Sequence, residues 1–550
     1  MSPIARRWTL AGSCVFAMLL ALIALRMAGA SDLYHNRDQT KTMAYTTDIV
    51  LNGRWALPRD NVGSFARKPP LVNWLGAPFQ GMGLWSEWAF KVPCMISALA
   101  ATALTMFMAY RQIARCRPEH LLRLGRGKGR GRAPEGDEAG RDPGFDVAAA
   151  PVDDAGGAGW GRKMALAAIG AAAAAGAMYL ANPSTAKHVY FLRPNMLNAA
   201  VMALAWASAT VALDPATRRP GRWALTFWLA TAATALSIGP TAFENLAYAA
   251  VAPFVIGRGW PSVRRLGWLW GLPLTLAIVG AWLGAAYLQA PDFVVHELIG
   301  GETVKRVVDA SDHSQSYLLV ILGTAWVIPG YFFERMAPWS IPAFAAIVAI
   351  LIRPDRWRSH PMTPAVLWVL CVMLVLLPVA SKGGTFTMPA YPAAAVLAAY
   401  ALVRPTGWLQ IRAGRLVAAA AVVMVAIGLL KGFATSQAKT HPAERIKAFA
   451  ADVRPVIGED PVVFTKLNPE SDGFSALPSL LGRHQAGAPT EAMRRDAAWH
   501  ITSIAHDAAA PDSARVVSER IDRYADDGFA GVRYVLLPMD RPRPGGTERR

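Results

Sequence analysis

Charge is what this sequence has least of. Of its 550 residues, 17% are charged and 53% hydrophobic, with a mean hydropathy of +0.26. An average soluble domain carries about 25% charged residues, so a soluble enzyme of this size is excluded, as is a disordered chain. Cysteine is scarce too. Cys14, Cys94, Cys116 and Cys371 lie in or beside apolar runs, with no CxxC and no Cys/His metal spacing. Neither a disulfide scaffold nor a cysteine-based metal centre follows from them. No collagen-like repeat is present.

What the chain has instead is apolar length. A membrane-spanning helix needs about 20 consecutive apolar residues, and the sequence offers such runs at 8–30, 85–110, 164–182, 196–213, 223–238, 241–257, 267–289, 317–352, 362–380, 388–403 and 414–432. The predicted fold is an all-α polytopic membrane protein of about 11–13 spans. The run 317–352 contains Pro329, Glu334, Arg335 and Pro338, so it is one broken crossing or three short ones. The first run is too long for a cleaved signal and is read as a retained helix.

Net charge is +18 and the pI is near 10.0. The basic residues cluster between apolar runs, as in cytoplasmic loops, and no nucleic-acid recognition fold accompanies them. Nucleic acid is not expected as a partner. Arg6 and Arg7 keep the N-terminus inside; Arg218, Arg219 and Arg222, then Arg258, Arg264 and Arg265, mark inner turns. The stretch 111–163 carries Arg115, Arg117, Arg123, Arg126, Lys128, Arg130 and Arg132, followed by a Gly/Ala/Asp-rich segment. It reads as a disordered basic cytoplasmic loop, either simply solvated or lying on anionic lipid. The span count places the chain after Lys431 outside. Residues 1–431 form the predicted membrane domain, with a first external loop at 31–84, and 432–550 a small periplasmic α/β domain. Asp460–Lys466 and Gly531–Leu537 are its strand candidates.

The first external loop holds the chemistry. Behind Asp38, the positions Met43, Thr47, Val50 and Leu51 recur at helical spacing, and Asn52-Gly53 supplies a stop. The pattern predicts an amphipathic helix lying flat on the membrane surface, with Asp38 at its start. On residues alone Asp38 is either a helix cap or a functional carboxylate at the membrane edge. Further on, Arg67-Lys68-Pro69-Pro70-Leu71 and Trp74 form a stiff basic corner. It suits a lipid-linked phosphate, with arginine offering a fork and lysine a point charge. Side chains snorkelling to an interface are the plainer alternative.

Taken in order, Asp38, Gly53-Arg54-Trp55, Pro58, Gly63, Lys68-Pro69-Pro70 and Trp74 resemble the first periplasmic loop of the GT-C membrane glycosyltransferases. The similarity is greatest to the branch of the lipid A aminoarabinose transferase and the bacterial proteins like protein mannosyltransferases. It continues through Arg193-Pro194-Asn195-Met196, Ile238-Gly239-Pro240, Pro291-Asp292-Phe293, Glu302 to His313, and Ser381-Lys382 before Met388-Pro389-Ala390-Tyr391-Pro392. The resemblance implies transfer of a sugar from a polyprenyl-phosphate donor to an envelope acceptor on the outer face of the plasma membrane. Asp38 matches the family's catalytic aspartate, which orients or deprotonates the attacking hydroxyl. Lys68 matches the lysine on the donor phosphate. Arg67, Arg306 and Lys382 are further phosphate-binding candidates; Asn195, Glu302, His313 and Glu244 are other candidate site residues.

The departures from the pattern bear on metal. Gln39 stands where several relatives have Glu, Arg67 where they have Glu before the prolines, Asn195 for an Asp, and Ile238 for a Lys. The histidine that helps hold a divalent ion in some relatives falls near Glu302 or Thr303. Because three acidic positions have lost their charge, a conventional metal site is not expected, and Arg67 is read as replacing the ion's charge. A non-catalytic relative with a binding role is the main alternative function. A transporter is the other; it would place polar groups at the bilayer midplane on repeated, broken helices, and no repeat relates the two halves.

Overall fold

The computed structural model describes residues 37–539, less positions 62, 118–119, 121–154, 190, 306–323, 354–356, 380–382, 405, 438–441, 466–475, 486–488, 506–507, 519–520 and 526–527. The first apolar run and most of the basic stretch 111–163 therefore lie outside the described residues. Of that stretch, residues 111–113 and 155–163 belong to the helices on either side.

Helices α1 (Arg37–Asn52) and α2 (Leu71–Gly81) form the first loop. The bundle follows: α3 (Glu87–Ile113), α4 (Ala155–Ala181), the short α5 (Pro183–His188), α6 (Pro194–Leu213), α7 (Pro220–Ile238), α8 (Ala242–Val255), α9 (Trp260–Leu266) and α10 (Trp268–Gln289). A wide-turn helical segment, Phe293–Lys305, comes next. Then come α11 (Val327–Arg335), α12 (Ser340–Leu351), α13 (Thr363–Leu376), a tight helical turn at Gly384–Ala390, α14 (Tyr391–Leu402) and α15 (Ala413–Gln437). Among the described residues five helical stretches are long and apolar enough to cross a membrane, and four shorter apolar helices accompany them. The protein is an all-α polytopic membrane protein with a small C-terminal α/β part. The expected break in 317–352 is real: α11 and α12 separate at Met336–Trp339, where Pro338 can donate no backbone hydrogen bond.

Local chemistry sets the helix ends. Pro194 and Pro220 occupy first helical positions, where a missing N–H costs nothing. Ser86 and Asn182 cap α3 and α5 by accepting from the Ala89 and Thr185 amides. Gly239, at φ +73°, ends α7 in a conformation that disfavours a side chain. Small residues let the backbones approach closely: the alanines of α6 and α14 are all buried, as are most of the described alanines of α4. Helix α6 sits at the centre, with Trp206 against Trp368 of α13. At the end of the bundle where positive charge was expected, Arg111 and Arg115 both pair with Asp214. Arg265 donates to the carbonyls of Ala212, Asp214 and Thr217 at 2.7–2.9 Å.

After α15 come α16 (Pro442–Ile457), β1 (Val462–Phe464), α17 (Ala476–Leu480), α18 (Glu491–Asp496), β2 (Trp499–Ala505), β3 (Val516–Val517), β4 (Ile521–Ala525) and β5 (Gly528–Pro538). β1 runs parallel to β2; β5 pairs antiparallel with β2, β3 and β4. Both expected strands are present, as β1 and β5.

One expectation is corrected. Helix α1 does not lie on lipid with an apolar face down. Met43 and Thr47 are buried, but so are Ala44, Thr46, Asp48 and Ile49 around the rest of its circumference. Protein covers the helix on several sides because α2 and the C-terminal part pack on it. Asn73 of α2 donates to the Thr42 carbonyl and the Thr46 hydroxyl at 2.8 and 2.9 Å.

Packing yields a test. A methyl group at Gly271 in α10 would lie about 2.0 Å from the ring of Trp228, which is fully buried and donates its Nε1–H to Leu266 at 2.8 Å. Gly271→Ala should cost about 1–3 kcal/mol as an overpacked site, read as a lowered unfolding midpoint in detergent. Gly280→Ala in the same helix meets no atom within 4 Å and should leave the midpoint unchanged or slightly raised.

Candidate active site

The loop after α1 is built to carry a lysine back to the start of that helix. Gly53 at φ +66° ends α1. A short hairpin follows, in which the Asp60 amide donates to Ser64 at 2.9 Å and the Ser64 amide to Asp60 Oδ1 at 2.8 Å. Gly63 turns the chain at φ +88°. The Ala66 amide closes the structure on Pro58 at 2.9 Å, and the Arg59 guanidinium stacks over Phe65 at 4.4 Å. Lys68 emerges next, just before Pro69-Pro70 start α2.

Lys68 Nζ lies 3.2 Å from Asp38 Oδ2. The same oxygen takes a second cation, Arg193, at the start of α6. Arg193 is itself braced from the neighbouring residue of α1: the Gln39 Oε1 accepts the Leu192 amide at 2.8 Å. The Arg193 carbonyl accepts from Cys94 at 3.5 Å. Thus consecutive residues of one helix turn position both the side chain and the backbone of the segment carrying Arg193.

Electrostatics follow from this arrangement. Burial pushes the Asp38 carboxyl up, but Lys68 and Arg193 together outweigh it and hold it below its ordinary value. Asp38 is ionised at neutral pH. Nearby, burial pushes the imidazole of His188 down to about 4, and Lys187, Arg193 and Arg335 all act in the same direction. The surroundings of Asp38 are positive, which suits an anion.

The other candidates distribute as follows. Arg67 pairs with Glu297: its Nη2 sits 3.2 Å from Glu297 Oε2 in the segment Phe293–Lys305. Asn195 lies in the first turn of α6, half-buried, two residues after Arg193. Glu244 is fully buried in α8; among the described residues neither of its carboxylate oxygens has a hydrogen-bond partner, and Cys371 lies within its electrostatic reach. Glu302 belongs to the segment Phe293–Lys305, but its side chain lies outside what is described, as do Arg306, His313 and Lys382. Arg193 opens the Arg193-Pro194-Asn195 motif, and the sequence alone does not mark it as a partner of Asp38.

Among the described residues the candidates do not make a conventional divalent site. Gln39 spends its acceptor on the Leu192 amide, Arg67 is a cation and Asn195 is neutral. Among the described residues no three His, Cys, Asp or Glu side chains cluster to hold an ion.

The crystal structure of ArnT from Cupriavidus metallidurans bound to undecaprenyl phosphate superposes with a TM-score of 0.58 at 17% identity, covering 95% of this chain and 97% of that one. The chain shares its fold with that ArnT. The apo crystal structure of the same ArnT gives a TM-score of 0.57 at 15% identity, covering 96% of this chain and 98% of that one. A scan against protein-family models and a search of curated proteins find no match. The likeness to ArnT is thus one of architecture, and it extends over both the bundle and the C-terminal sheet.

The ion triad has a measurable signature. A carboxyl with a lowered native pKa contributes its pairing fully above the unfolded value of about 3.9 and loses it as pH falls through the native value. In an infrared pH titration referenced to Asp38→Asn, the protonated Asp38 band should appear only below the ordinary carboxyl range. Arg193→Gln should move its onset upward, because one of the two cations holding the carboxyl down is gone.

Proposed function

We propose that this protein is a membrane glycosyltransferase that moves a sugar from a polyprenyl-phosphate-linked donor to an envelope acceptor on the outer face of the plasma membrane. The observation that carries the reading is Asp38 held between Lys68 and Arg193 within a fold shared with ArnT, a protein crystallised with undecaprenyl phosphate. In this reading the N-terminus is cytoplasmic, residues 1–431 are the transferase domain and residues 432–550 a periplasmic domain.

Chemically, the acceptor hydroxyl attacks the anomeric carbon, the bond from that carbon to the phosphate oxygen breaks, and the carrier leaves as a polyprenyl phosphate. Asp38 takes the proton from the hydroxyl as general base. Lys68 and Arg193 stabilise the charge that develops on the leaving phosphate. Without donor, those two cations are occupied by Asp38. A bound phosphate competes for them, and a carboxylate relieved of two cations is a stronger base. Donor binding therefore switches on the base. The excess of positive charge left by Gln39 and Asn195 serves the same phosphate without a metal ion, and Arg67 joins it when Glu297 releases it.

The changes at Gln39, Arg67 and Asn195 also support a second reading, a non-catalytic relative that binds the carrier alone, and Asp38→Asn separates the two. Under the transferase reading, Asp38→Asn lowers the transfer rate by about 10²–10⁴-fold while undecaprenyl phosphate binds as well or better, because its cations are set free. Lys68→Ala or Arg193→Ala instead weakens that binding by about 10–100-fold, the worth of one hydrogen bond to a charged group. An unchanged rate of transfer in Asp38→Asn, measured with labelled lipid-linked sugars extracted from the host envelope, overturns the assignment.

Metal dependence gives an independent check. Excess EDTA should leave transfer unaltered. Activity abolished by the chelator and restored by one divalent ion would show that the cations do not stand alone.

A further inference from the structure

The C-terminal part has so far had no task. Among the described residues, polar contacts with the rest of the chain stand out at three places. Lys447 of α16 sits 2.9 Å from Glu87 at the start of α3, an acid that also holds Lys91 at 2.5 Å. Arg454 donates to the Trp85 carbonyl at 3.2 Å, and the Trp85 ring lies against Gly482. The third place is different in kind, because it reaches the helix that carries Asp38.

Asp48, on α1, is completely buried. Its Oδ1 receives the Asn52 amide at 2.7 Å and Arg54 at 3.3 Å, and its Oδ2 receives the Arg59 backbone N–H at 2.7 Å. Against this hub lies His484 of the C-terminal part, its side chain only 2% exposed, with Nδ1 3.4 Å from Asp48 Oδ1. The remaining contacts fix its tautomer. Nε2 is 3.0 Å from the Arg59 carbonyl, which can only accept, so Nε2 carries the proton. Nδ1 is 3.2 Å from the Asn52 Nδ2, and that atom is the amide's donor end because it also donates to Asp48. Nδ1 is therefore the acceptor. The imidazole is satisfied on both nitrogens in its neutral form.

We propose that the C-terminal part is the clamp that sets the position of the Asp38-bearing helix and of the loop delivering Lys68, and that neutral His484 is its positioning residue. The proposal rests on the transferase reading only for its consequence in catalysis; the clamp itself is structural. His484 binds the end of α1 through Asn52 and the start of the hairpin through Arg59, the two segments whose relative placement brings Lys68 to Asp38. Adding a proton at Nδ1 would set it donor-to-donor against Asn52 in exchange for a longer contact with Asp48.

Charges facing the imidazole act both ways. Burial and Arg54 favour the neutral form, Asp48 and Asp60 the cation, and the balance holds His484 below its ordinary value. Lys41 lies behind Asp60 at 3.7 Å. The released histidine titrates near 6.5 and takes more protons than the docked one. The clamp is therefore at full strength above about pH 6.5 and weakens as pH falls below it.

The test is hydrogen exchange of the full chain in lipid nanodiscs, read over residues 37–61 and 63–66, between about pH 5.5 and about pH 7.5, with intrinsic rates divided out. In the wild type, exchange over these residues should speed up several-fold as pH falls. His484→Gln keeps a donor for Arg59 and an acceptor for Asn52 without a titrating group; it should match the wild type at the upper pH and lose the pH dependence. His484→Ala should exchange fast throughout and bind undecaprenyl phosphate about tenfold more weakly, with Gln restoring the affinity. Equal protection in Ala and wild type, a wild-type profile flat with pH, or Gln no better than Ala would overturn the clamp. If exchange responds as expected while no form of the protein binds undecaprenyl phosphate, the clamp stands and the transferase reading falls.

Discussion

One carboxylate oxygen shared by two cations organises the first loop of this protein and its seat on the bundle. Asp38 Oδ2 meets Lys68 from the hairpin and Arg193 from the start of α6, so three segments remote in sequence converge on one atom. Such an arrangement is costly unless the charges compensate each other, and here they do so in excess, with more positive than negative charge. In the proposed reaction that positive charge is what receives the donor phosphate. It also explains why so much polar scaffolding surrounds it. Gln39, Asn73 and the Asp60 hairpin leave the triad's charge alone and fix where its members stand.

The architecture was legible from sequence because a membrane imposes few solutions. Backbone groups in lipid must pair within a helix, so every long apolar run outside the undescribed segments is helical, and even the break around Pro338 was visible as a proline in an apolar stretch. The two strands of the C-terminal part were legible for another reason, as short β-branched runs between turn residues. What misled was the stripe Met43, Thr47, Val50, Leu51. Helical periodicity says that one face is apolar, not what covers the others, and Thr46 and Asp48 are buried by protein contacts that no single-segment pattern contains.

The site was half legible. Asp38 and Lys68 stand in one loop, so a motif could hold both. Arg193 lies 155 residues further on, and the signal that could have found it was charge: an arginine beside a proline that opens an apolar helix, at the same end of the bundle as the first loop. Adjacency in sequence was the wrong guide for Arg67. Neighbouring side chains in an extended corner point in different directions, so Lys68 reaches Asp38 while Arg67 reaches Glu297. His484 was invisible for a related reason, since a lone histidine in a polar tail carries no mark of the buried acid that it will meet.

The three lost acids form a consistent set once their partners are known. A glutamate at position 39 would add a negative charge beside Asp38 and compete for Lys68 and Arg193; glutamine keeps the acceptor that the Leu192 amide needs and leaves the cations to Asp38. Asparagine at 195, in the first turn of α6, likewise removes an anion two residues from Arg193. Among the described residues no three His, Cys, Asp or Glu side chains gather for a divalent cation, and in the proposed reaction Lys68 and Arg193 are the groups that meet the phosphate's charge. Arg67 adds to this only if Glu297 lets go of it. In that reading the segment Phe293–Lys305, which carries Glu297, sets whether Arg67 reaches the phosphate.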